Sequence, residues 1–347
     1  MQLYLFRKYF LIMSGLSIII VNYKTPALVV QCLQTLGPAW KERGWEVIVV
    51  DNASGDNSEK IITTAFSSVK WIGMQYNAGF ARANNEGIRQ SSGEVVLLLN
   101  SDTLNEADAI VKCYDAFVAS PYAACGLQLL NPDRSPQISG NFAMKGGLNY
   151  LLPLPFIGAV LKWLGNTMKV KKPNIPDATE TTEVDWINGA FLMVKKEAIR
   201  VAGLMDEDFF LYAEEAEWCS RLKKAGKLCI FGQFSIVHLQ GETSNEAFGS
   251  SGRGYANLFD RKGLQIMLSN LVRIRKEFGA GWYLFILLTY TLAVPVFFIG
   301  SFIENIFRLK NPFVDFGNAA RFTGNVARLW RFAPVIISKK PFFYKVL

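Results

Sequence analysis

Carboxylate side chains follow two apolar runs of this chain, an arrangement that suits a divalent cation. Asp51 follows the run 46–50, and Asp102 comes shortly after the run 94–99. Apolar runs of this length predict buried parallel strands, whose carboxyl ends lie at the crevice where open α/β sheets bind ligands. Mg²⁺ or Mn²⁺ prefers oxygen ligands and leaves positions for substrate phosphates. Asp102 is therefore predicted to hold a cation that bridges the two phosphates of a sugar nucleotide.

A second group of carboxylates lies at 206–217, and the apolar spacing after it predicts an amphipathic helix that ends at Gly226. This places Glu214 and Glu215 in the first turn of the helix, where the helix dipole favours carboxylates. Two interpretations follow. Glu215 points into a cleft as a general base, or both glutamates belong to a solvated first turn.

His238 is the only histidine of the chain, and it follows the strand-like segment Leu228–Val237. A single histidine at a strand end is commonly structural. It would serve a metal or a phosphate if Asp102 and Glu215 converge on it, because imidazole is a common metal ligand. Both interpretations of His238 stay open at this point.

Alternating strands and helices must position these groups. The apolar patterns predict strands at 16–21, 46–50, 69–72 and 94–99, and helices at 26–36, from 58, and at 81–90. This alternation predicts a doubly wound parallel sheet of the α/β class. Residues 131–183 carry six prolines and predict a loop-rich insertion with one amphipathic piece in 148–164, after which regular structure returns at 184–194.

Charge and hydropathy set the end of the chain apart. The 347 residues are 50% hydrophobic, with a mean hydropathy of +0.18 and a net charge of +8. Residues 273–347 contain 11 Lys and Arg against 3 Asp and Glu, so the basic surplus lies in this tail. The charges alternate with bulky apolar residues, and the chain has no zinc-finger, RNP or helix-turn-helix signature. The pattern favours an anionic membrane surface and argues against nucleic acid.

The segment 278–303 has no charged residue and is long enough to span a bilayer, which takes about 20 apolar residues. Pro295 interrupts it, and basic residues flank both ends. We therefore predict a kinked, in-plane or re-entrant helical hairpin in preference to a span, continuing into the amphipathic stretch 313–332. A buried helical pair that packs on the rest of the protein is the alternative.

The five cysteines are odd in number and lack metal-ligand spacing, which predicts buried, reduced thiols. Three regions are expected: a short amphipathic lead-in at 1–15, a catalytic domain at 16–260 that includes the insertion 131–183, and a membrane-associating helical tail at 261–347.

Ordered landmarks along roughly residues 16–245 resemble those of inverting family-2 glycosyltransferases, and the closest pattern is that of bacterial rhamnosyltransferase-type members. The landmarks are Ile18–Tyr23, Val49–Ser54, Asn77–Phe80, Asn84-Asn85, Leu99–Thr103, Trp186–Ala190 and Asp206–Arg221. The resemblance implies a GT-A fold, in which a nucleotide-binding parallel sheet is merged with an acceptor-binding half.

The resemblance also implies substrate contacts. Asp51 would hydrogen-bond the pyrimidine base or its ribose, and the backbone near Asn22 and Tyr23 would flank the nucleobase. Arg82 is a basic group that could neutralise the departing diphosphate. Further substrate contacts are expected at Asn77, Gly79, Asn100 and Trp186, although Gly79 also suits a simple turn and Trp186 a core position.

Asp102 would hold the metal, His238 would lie near the same diphosphate, and Glu215 would be the catalytic base. Two departures from the family pattern matter. The usual Asp-x-Asp metal motif is Asn100-Ser101-Asp102 in this chain, so one carboxylate is lost. Glutamate occupies the base position where aspartate is more frequent, which leaves Glu214 as a competing candidate.

The expected function is that of an inverting, metal-dependent glycosyltransferase on the cytoplasmic face of the plasma membrane. It would transfer L-rhamnose from dTDP-rhamnose to a lipid-linked or surface-polysaccharide acceptor, with Mg²⁺ or Mn²⁺ as cofactor. A UDP-hexose or UDP-N-acetylhexosamine donor is the first alternative. A non-catalytic, membrane-anchored subunit that binds nucleotide sugars is the second.

Overall fold

The computed structural model describes residues 15–143, 145–170, 174–175, 177–239, 248–250 and 257–346. The lead-in predicted at 1–15 lies outside these ranges except for its last residue.

The described elements alternate between strands and helices before a helical C-terminal part. The strands are β1 (Leu16–Asn22), β2 (Glu46–Asp51), β3 (Lys70–Gly73), β4 (Val95–Asn100), β5 (Thr103–Leu104), β6 (Ala124–Leu130), β7 (Gly140–Asn141), β8 (Asn174–Ile175), β9 (Thr181–Val184), β10 (Trp186–Ile187), β11 (Phe191–Lys195) and β12 (Leu228–His238). The helices are α1 (Pro26–Thr35), α2 (Ala39–Glu42), α3 (Ser58–Ala65), α4 (Gly79–Arg89), α5 (Ala109–Val118), α6 (Ile157–Thr167), α7 (Lys196–Ala202), α8 (Glu214–Leu222), α9 (Arg261–Phe278), α10 (Ala280–Phe307) and α11 (Phe316–Ser338), with a 3₁₀ helix at Lys145–Leu151.

A mixed sheet in the order β3-β2-β1-β4-β11-β6-β12-β5 organises the first part of the chain. Strands β1 to β4 are parallel, as predicted, whereas β11 lies antiparallel between β4 and β6. The sheet as a whole is therefore mixed and not purely parallel. Asn22 is opposite Asp51, and Val21 is opposite Asn100, so the polar residues that end β1, β2 and β4 share one edge.

Helices cover both faces of this sheet. Ile18 and Ile20 of β1 point into one apolar core with residues of α1, and Ile19 points into the other core with residues of α4. All three isoleucines are fully buried. Gly87 lets α4 approach the sheet closely, since a Cβ at this position would lie 2.5 Å from Cγ2 of Ile19.

The two-residue strand β5 joins the end of β4 to the end of β12. Thr103 pairs with His238, and Leu104 pairs with Val237 at the end of β12. This pairing places the residue before β5, Asp102, next to the last residue of β12. A register shift in β12 between Phe231 and Ser235 precedes this end of the strand.

Some element boundaries differ from the predictions. Helix α8 begins at Glu214, so both glutamates lie in its first turn as predicted, but it ends at Leu222 and not at Gly226. The next residues form a turn in which the amide of Lys223 still donates to the carbonyl of Cys219. Within the predicted insertion, the amphipathic piece is α6, preceded by the 3₁₀ helix.

The chain divides into two compact units. The first contains the described residues of Met1–Phe142, Asn174–Glu207 and Glu215–Gln240, and the second contains those of Ala143–Pro173, Asp208–Glu214 and Gly241–Leu347. In the second unit, α9, α10 and α11 pack around one apolar core. All five cysteines are buried and free, which confirms the prediction of reduced thiols.

Helix α10 corrects the predicted hairpin. Residues 280–307 form one continuous helix that includes Pro295, so the chain does not turn back within the uncharged segment. The side chain of Pro295 is exposed, and the helix continues for three further turns after it. Among the described residues, α10 is the one helix whose length and mean hydropathy of 2.1 would suffice to cross a membrane.

Candidate functional site

A hydrogen-bond network joins the ends of β1 and β2. The Asn22 side-chain amide donates to Asp51 Oδ1 at 2.7 Å and to Ser54 Oγ at 3.1 Å. The Ser54 hydroxyl donates to Asp51 Oδ1 at 2.5 Å, and its backbone N–H donates to Oδ2 at 3.0 Å. These hydrogen bonds hold the Asp51 carboxylate in one orientation, and the residue is half-buried. A carboxylate that is both oriented and accessible can hydrogen-bond a ligand specifically.

The loop after β3 is tied to the same edge. Buried Asn52 donates to Asn77 Oδ1 at 3.0 Å and accepts from the backbone N–H of Ala78 at 2.8 Å. Gly79 begins α4 with φ +78, a left-handed conformation that favours glycine. Asn77 and Gly79 therefore lie at this edge, where Gly79 serves a turn whatever else it contacts.

Asp102 and His238 come together at the end of β12. The carboxylate Oδ1 of Asp102 lies 3.3 Å from Nε2 of His238, and both side chains are about one-tenth exposed. The backbone N–H of Leu239 also donates to the Asp102 carbonyl at 2.9 Å. The convergence of Asp102 on His238, one part of the condition that the sequence set for a metal or phosphate role, is thus met.

Gln137 orients the histidine ring. Its side-chain amide donates to the carbonyl of His238 at 2.6 Å, so its Oε1 is the atom that faces Nδ1, at 2.9 Å. A neutral imidazole that donates from Nδ1 has a lone pair on Nε2. In that tautomer the lone pair would face a carboxylate oxygen of Asp102, and the two atoms together could bind one cation.

Glu215 lies beside the loop before β11. The carbonyl of Ala190 accepts from the backbone N–H of Asn100 at 3.0 Å, which joins this loop to the end of β4. A Cβ built on neighbouring Gly189 would lie 3.5 Å from Cγ of Glu215 and 3.7 Å from Phe80 Cε1. Gly189 therefore lies directly beside the aliphatic part of the Glu215 side chain, and a Cβ there would make ordinary van der Waals contacts. Glu215 is half-buried, whereas Glu214 is 3% exposed.

Three side chains fix the helix that carries Glu215. Arg221 pairs with Glu217 in a bidentate ion pair at 2.7 Å and donates to the carbonyls of Ala202 and Leu204. Buried Trp218 donates to the carbonyl of Gly203 at 2.8 Å. Helix α8 is thus anchored to the loop after α7, and the position of Glu215 follows from packing on the other faces of its helix.

Replacing Arg221 by Met is expected to lower the free energy of unfolding by about 3 kcal/mol, because it leaves the buried Glu217 carboxylate without its partner. Urea denaturation followed by circular dichroism would measure the change. Lys223→Met is the matched control, since its pair with Asp185 is partly exposed and should contribute at most about 1 kcal/mol. Equal losses in both variants would contradict the anchoring role.

Strained backbone precedes α8. Tyr212 and Ala213 both have left-handed conformations, with φ of 72° and 65°. Two adjacent residues of this kind are rare outside glycine, and each costs about 1–3 kcal/mol. A second adjacent pair of this kind is Ala107 and Asp108, so the strain at Tyr212 and Ala213 is compatible with a functional site before α8 but is not unique to it.

Arg82 and Trp186 both make contacts within the protein, and the core position that the sequence offered for Trp186 stays open. The Arg82 guanidinium donates to the carbonyl of Glu207 at 2.9 Å and to the Tyr76 hydroxyl at 2.8 Å. Trp186 pairs with Asn141 in a small three-stranded sheet. Its indole N–H is buried and has no hydrogen-bond partner among the described residues, so a hydroxyl of a ligand or water could use it. Tyr23 is half-buried, with Lys24 Nζ 5.5 Å from its ring centroid.

Sequence reasoning assigned no individual role to Gln137, Gly189, Asn52 or Ser54. The last three fall within recognised landmarks. Gln137 lies in the proline-rich segment, which has no periodicity that would point to a role, and its partner is about a hundred residues away.

Comparisons with known proteins agree with these features. Residues 17–157 match the sequence model of the family described as Glycosyl transferase family 2. The chain is 27% identical over 221 residues to the low-salt glycan biosynthesis hexosyltransferase Agl10 of Haloferax volcanii, which covers 61% of this chain and 62% of that protein. It is 26% identical over 231 residues to the N-acetylglucosaminyl-diphospho-decaprenol L-rhamnosyltransferase of Mycobacterium tuberculosis, covering 62% and 73%. The match thus spans less than two thirds of the length of the first relative.

Among solved structures, the chain is similar to the mannosyltransferase PcManGT from Pyrobaculum calidifontis, in complex with GDP-Man and Mn²⁺. The TM-score is 0.51 at 13% identity, and the alignment covers 92% of this chain and 87% of that one. Identity at this level supports the fold alone. The family resemblance and the fold class predicted from the sequence are confirmed: residues 17–157 match the family-2 glycosyltransferase model, and the fold is that of the GT-A glycosyltransferases.

Proposed function

We propose that this protein is an inverting, metal-dependent glycosyltransferase that moves L-rhamnose from dTDP-rhamnose to a lipid-linked or surface-polysaccharide acceptor. The observation that carries the proposal is the Asp102–His238 pair after β4, on the strand edge that also holds the oriented Asp51 carboxylate. Carboxyl ends of parallel strands are where α/β sheets bind nucleotides. Residues 16–260 would form the catalytic part and 261–347 the membrane-associating tail.

The Asp102–His238 pair fits a divalent cation. Adjacent ligands of an octahedral ion with bonds of about 2.1 Å lie about 3.0 Å apart, close to the 3.3 Å between Asp102 Oδ1 and His238 Nε2. The described residues contain no group of three or more His, Cys, Asp or Glu side chains that could hold a metal. Asp102 and His238 would therefore hold Mg²⁺ or Mn²⁺ together with substrate phosphates and water. When bound, the cation would neutralise charge on the leaving diphosphate.

Glu215 would act as the general base. Its carboxylate takes the proton of an acceptor hydroxyl while the acceptor oxygen attacks the anomeric carbon and the bond to the diphosphate breaks on the opposite face. One displacement from the far side inverts the configuration and needs a single carboxylate. The acceptor hydroxyl would approach Glu215 on the side of Gly189, where this residue places no side chain.

The choice of donor follows from Asp51 and from the relatives. Asp51 Oδ2 accepts a hydrogen bond from the Ser54 backbone N–H and has capacity for another from a pyrimidine N–H or a ribose hydroxyl. Thymine and uracil present the same N–H, so Asp51 suits dTDP and UDP equally. One relative is named a rhamnosyltransferase and another a hexosyltransferase, so the names agree with either class of sugar. We place dTDP-rhamnose first because the sequence landmarks resemble rhamnosyltransferase-type members, and a UDP-hexose or UDP-N-acetylhexosamine second.

The proposed acceptor and the proposed location are supported by the name of one relative and by the apolar helix α10. The mycobacterial relative is named for a decaprenol-linked acceptor, a membrane lipid. Helix α10 is apolar enough to associate with a bilayer. Nucleotide sugars are expected on the cytoplasmic face, where the catalytic part would then lie. A non-catalytic subunit that only binds nucleotide sugars is the alternative from another class.

A donor panel tests this proposal. We expect the purified full chain to release nucleoside diphosphate from dTDP-rhamnose in the presence of Mn²⁺ or Mg²⁺ and a lipid-linked glycan, and EDTA to abolish release. Preferred release of UDP from a UDP-sugar would assign the alternative donor. Binding of a nucleotide sugar without release of diphosphate under every condition would support the non-catalytic subunit and contradict catalysis.

A further inference from the structure

One long side of α10 is apolar and uncovered. Tyr283, Leu287, Tyr290 and Phe297 point into the core of the second unit. The uncovered side carries Leu284, Leu288, Leu292, Val296, Ile299 and Ile303, each more than one-third exposed. At 100° per residue these six side chains fall within an arc of about 120° on the side opposite the buried residues. They form a stripe along the helix, here called the α10 stripe, that has no charged residue.

The helix α11 packs against α10, and this contact limits the orientations that α10 can take in a bilayer. Phe316 stacks edge-on against Phe298 at 5.1 Å between ring centroids, and Trp330 donates to Thr291 Oγ1 at 3.0 Å. Helix α11 therefore runs back along α10 at least from Phe298 to Thr291. If α10 crossed a bilayer, α11 would enter the hydrocarbon beside it.

Exposed arginines on α11 oppose that arrangement. Arg321, Arg328 and Arg331 are all exposed, and at helical spacing they lie on one side of α11, away from Trp330. Arginine near the bilayer centre is among the most unfavourable residues on insertion scales. No described carboxylate of α11 offsets them, because the helix 316–338 contains no acidic residue.

The turn between the two helices continues the apolar surface and adds charge. Phe307, Leu309 and Phe313 are exposed, Leu309 to 96%. Lys310 is exposed beside them, and Arg308 pairs with Glu304. Apolar side chains interleaved with cations suit the boundary between acyl chains and anionic headgroups.

We infer that α10 lies in the plane of an anionic membrane, with the α10 stripe and Phe307, Leu309 and Phe313 in the acyl layer. Arg321, Arg328 and Arg331 then lie at the level of the lipid phosphates. This arrangement keeps both ends of α10 on one side of the bilayer. It rests on the membrane association that is part of the proposed function and specifies its geometry.

Vesicle co-sedimentation tests the stripe. The full chain is expected to bind vesicles of phosphatidylcholine and phosphatidylglycerol, more weakly at high salt and more weakly to phosphatidylcholine alone. Leu288→Glu/Leu292→Glu should reduce binding at least tenfold. Ile61→Glu is the matched control, because Ile61 is exposed on α3, outside the stripe, and this variant should bind like the parent chain. Unchanged binding of the double variant would overturn the inference.

Cysteine labelling distinguishes the in-plane helix from a span. All five natural cysteines are buried, so an impermeant maleimide should react with Gly281→Cys and with Lys310→Cys selectively. In inverted membrane vesicles and intact spheroplasts, both positions should react from the same side. Reaction from opposite sides would establish a span and overturn the in-plane geometry.

Two further readouts separate possible failures. In detergent, Leu288→Glu/Leu292→Glu should release nucleoside diphosphate at the parent rate, so a loss of vesicle binding alone concerns the membrane surface and not sugar transfer. Light scattering of the parent chain without lipid reports whether a second copy covers the stripe. A stable dimer that the double variant dissociates, together with no vesicle binding by the parent chain, would also overturn the inference.

Discussion

Replacing Glu215 by Gln is expected to lower the turnover number by about 10²-fold or more while nucleotide binding persists, as for the loss of a general base. The amide keeps the shape of the side chain beside Gly189 but cannot accept the acceptor proton. Steady-state release of nucleoside diphosphate gives the turnover number, and a thermal shift with dTDP or UDP reports binding separately.

Glu214→Gln is the matched control for that result. Glu214 is 3% exposed, whereas Glu215 is half-buried, so Glu215 has the better access to an acceptor. The Glu214 variant should retain most of the turnover, with any change seen mainly in stability. A large loss of turnover at Glu214 with little loss at Glu215 would move the base by one residue.

Replacing Asp102 by Asn is expected to reduce turnover by about 10²-fold or more at limiting Mn²⁺ or Mg²⁺ and to leave the fold intact. The substitution removes the carboxylate charge opposite His238 Nε2 without changing the side-chain volume. Turnover measured across a Mn²⁺ titration checks the change, and circular dichroism checks the fold. Turnover that matches the parent at every Mn²⁺ concentration would remove Asp102 from the metal site.

Gln137→Leu is expected to weaken metal binding less than Asp102→Asn does, and so to lower turnover at limiting Mn²⁺ by a smaller factor. Loss of the acceptor at Nδ1 releases the histidine ring, and changes of this kind typically cost 10–100-fold in metal affinity. Gln233→Leu makes the same chemical change on β12 at an exposed position and should leave the Mn²⁺ titration unchanged. Because Gln137 acts through His238, excess Mn²⁺ should restore turnover in its variant.

The first four strands could be predicted because each is a short apolar run that ends in turn residues. The antiparallel strand β11 could not, since Phe191–Lys195 is an apolar run that suits either direction. Its direction depends on pairing with β4, which lies about 90 residues earlier. The end of α8 was missed for a local reason, because Lys223 and Lys224 have good helix propensity although the chain turns there.

For the site, the sequence identified polar groups at the ends of strands but could not predict which of them lie close together in the fold. Asp102 and His238 are predicted separately, and their proximity follows from the two-residue strand β5, which is too short to leave a pattern. The same holds for Gln137, whose role is visible only through the contact with His238. The continuity of α10 was missed because proline usually breaks helices, whereas Pro295 lies on an exposed face.

The pairing of β5 with β12 also has a consequence for synthesis. Thr103 and His238 are about 130 residues apart, and at about 5–20 residues per second the ribosome needs on the order of ten seconds to pass from one to the other. During most of that time β11 has not been synthesised, so the edge of β4 that pairs with β11 has no partner strand. Unpaired edges invite association with other chains, so chaperone protection of the nascent chain is expected in this interval. A chain released before β12 would keep the Asn22–Asp51 network and lack the Asp102–His238 pair.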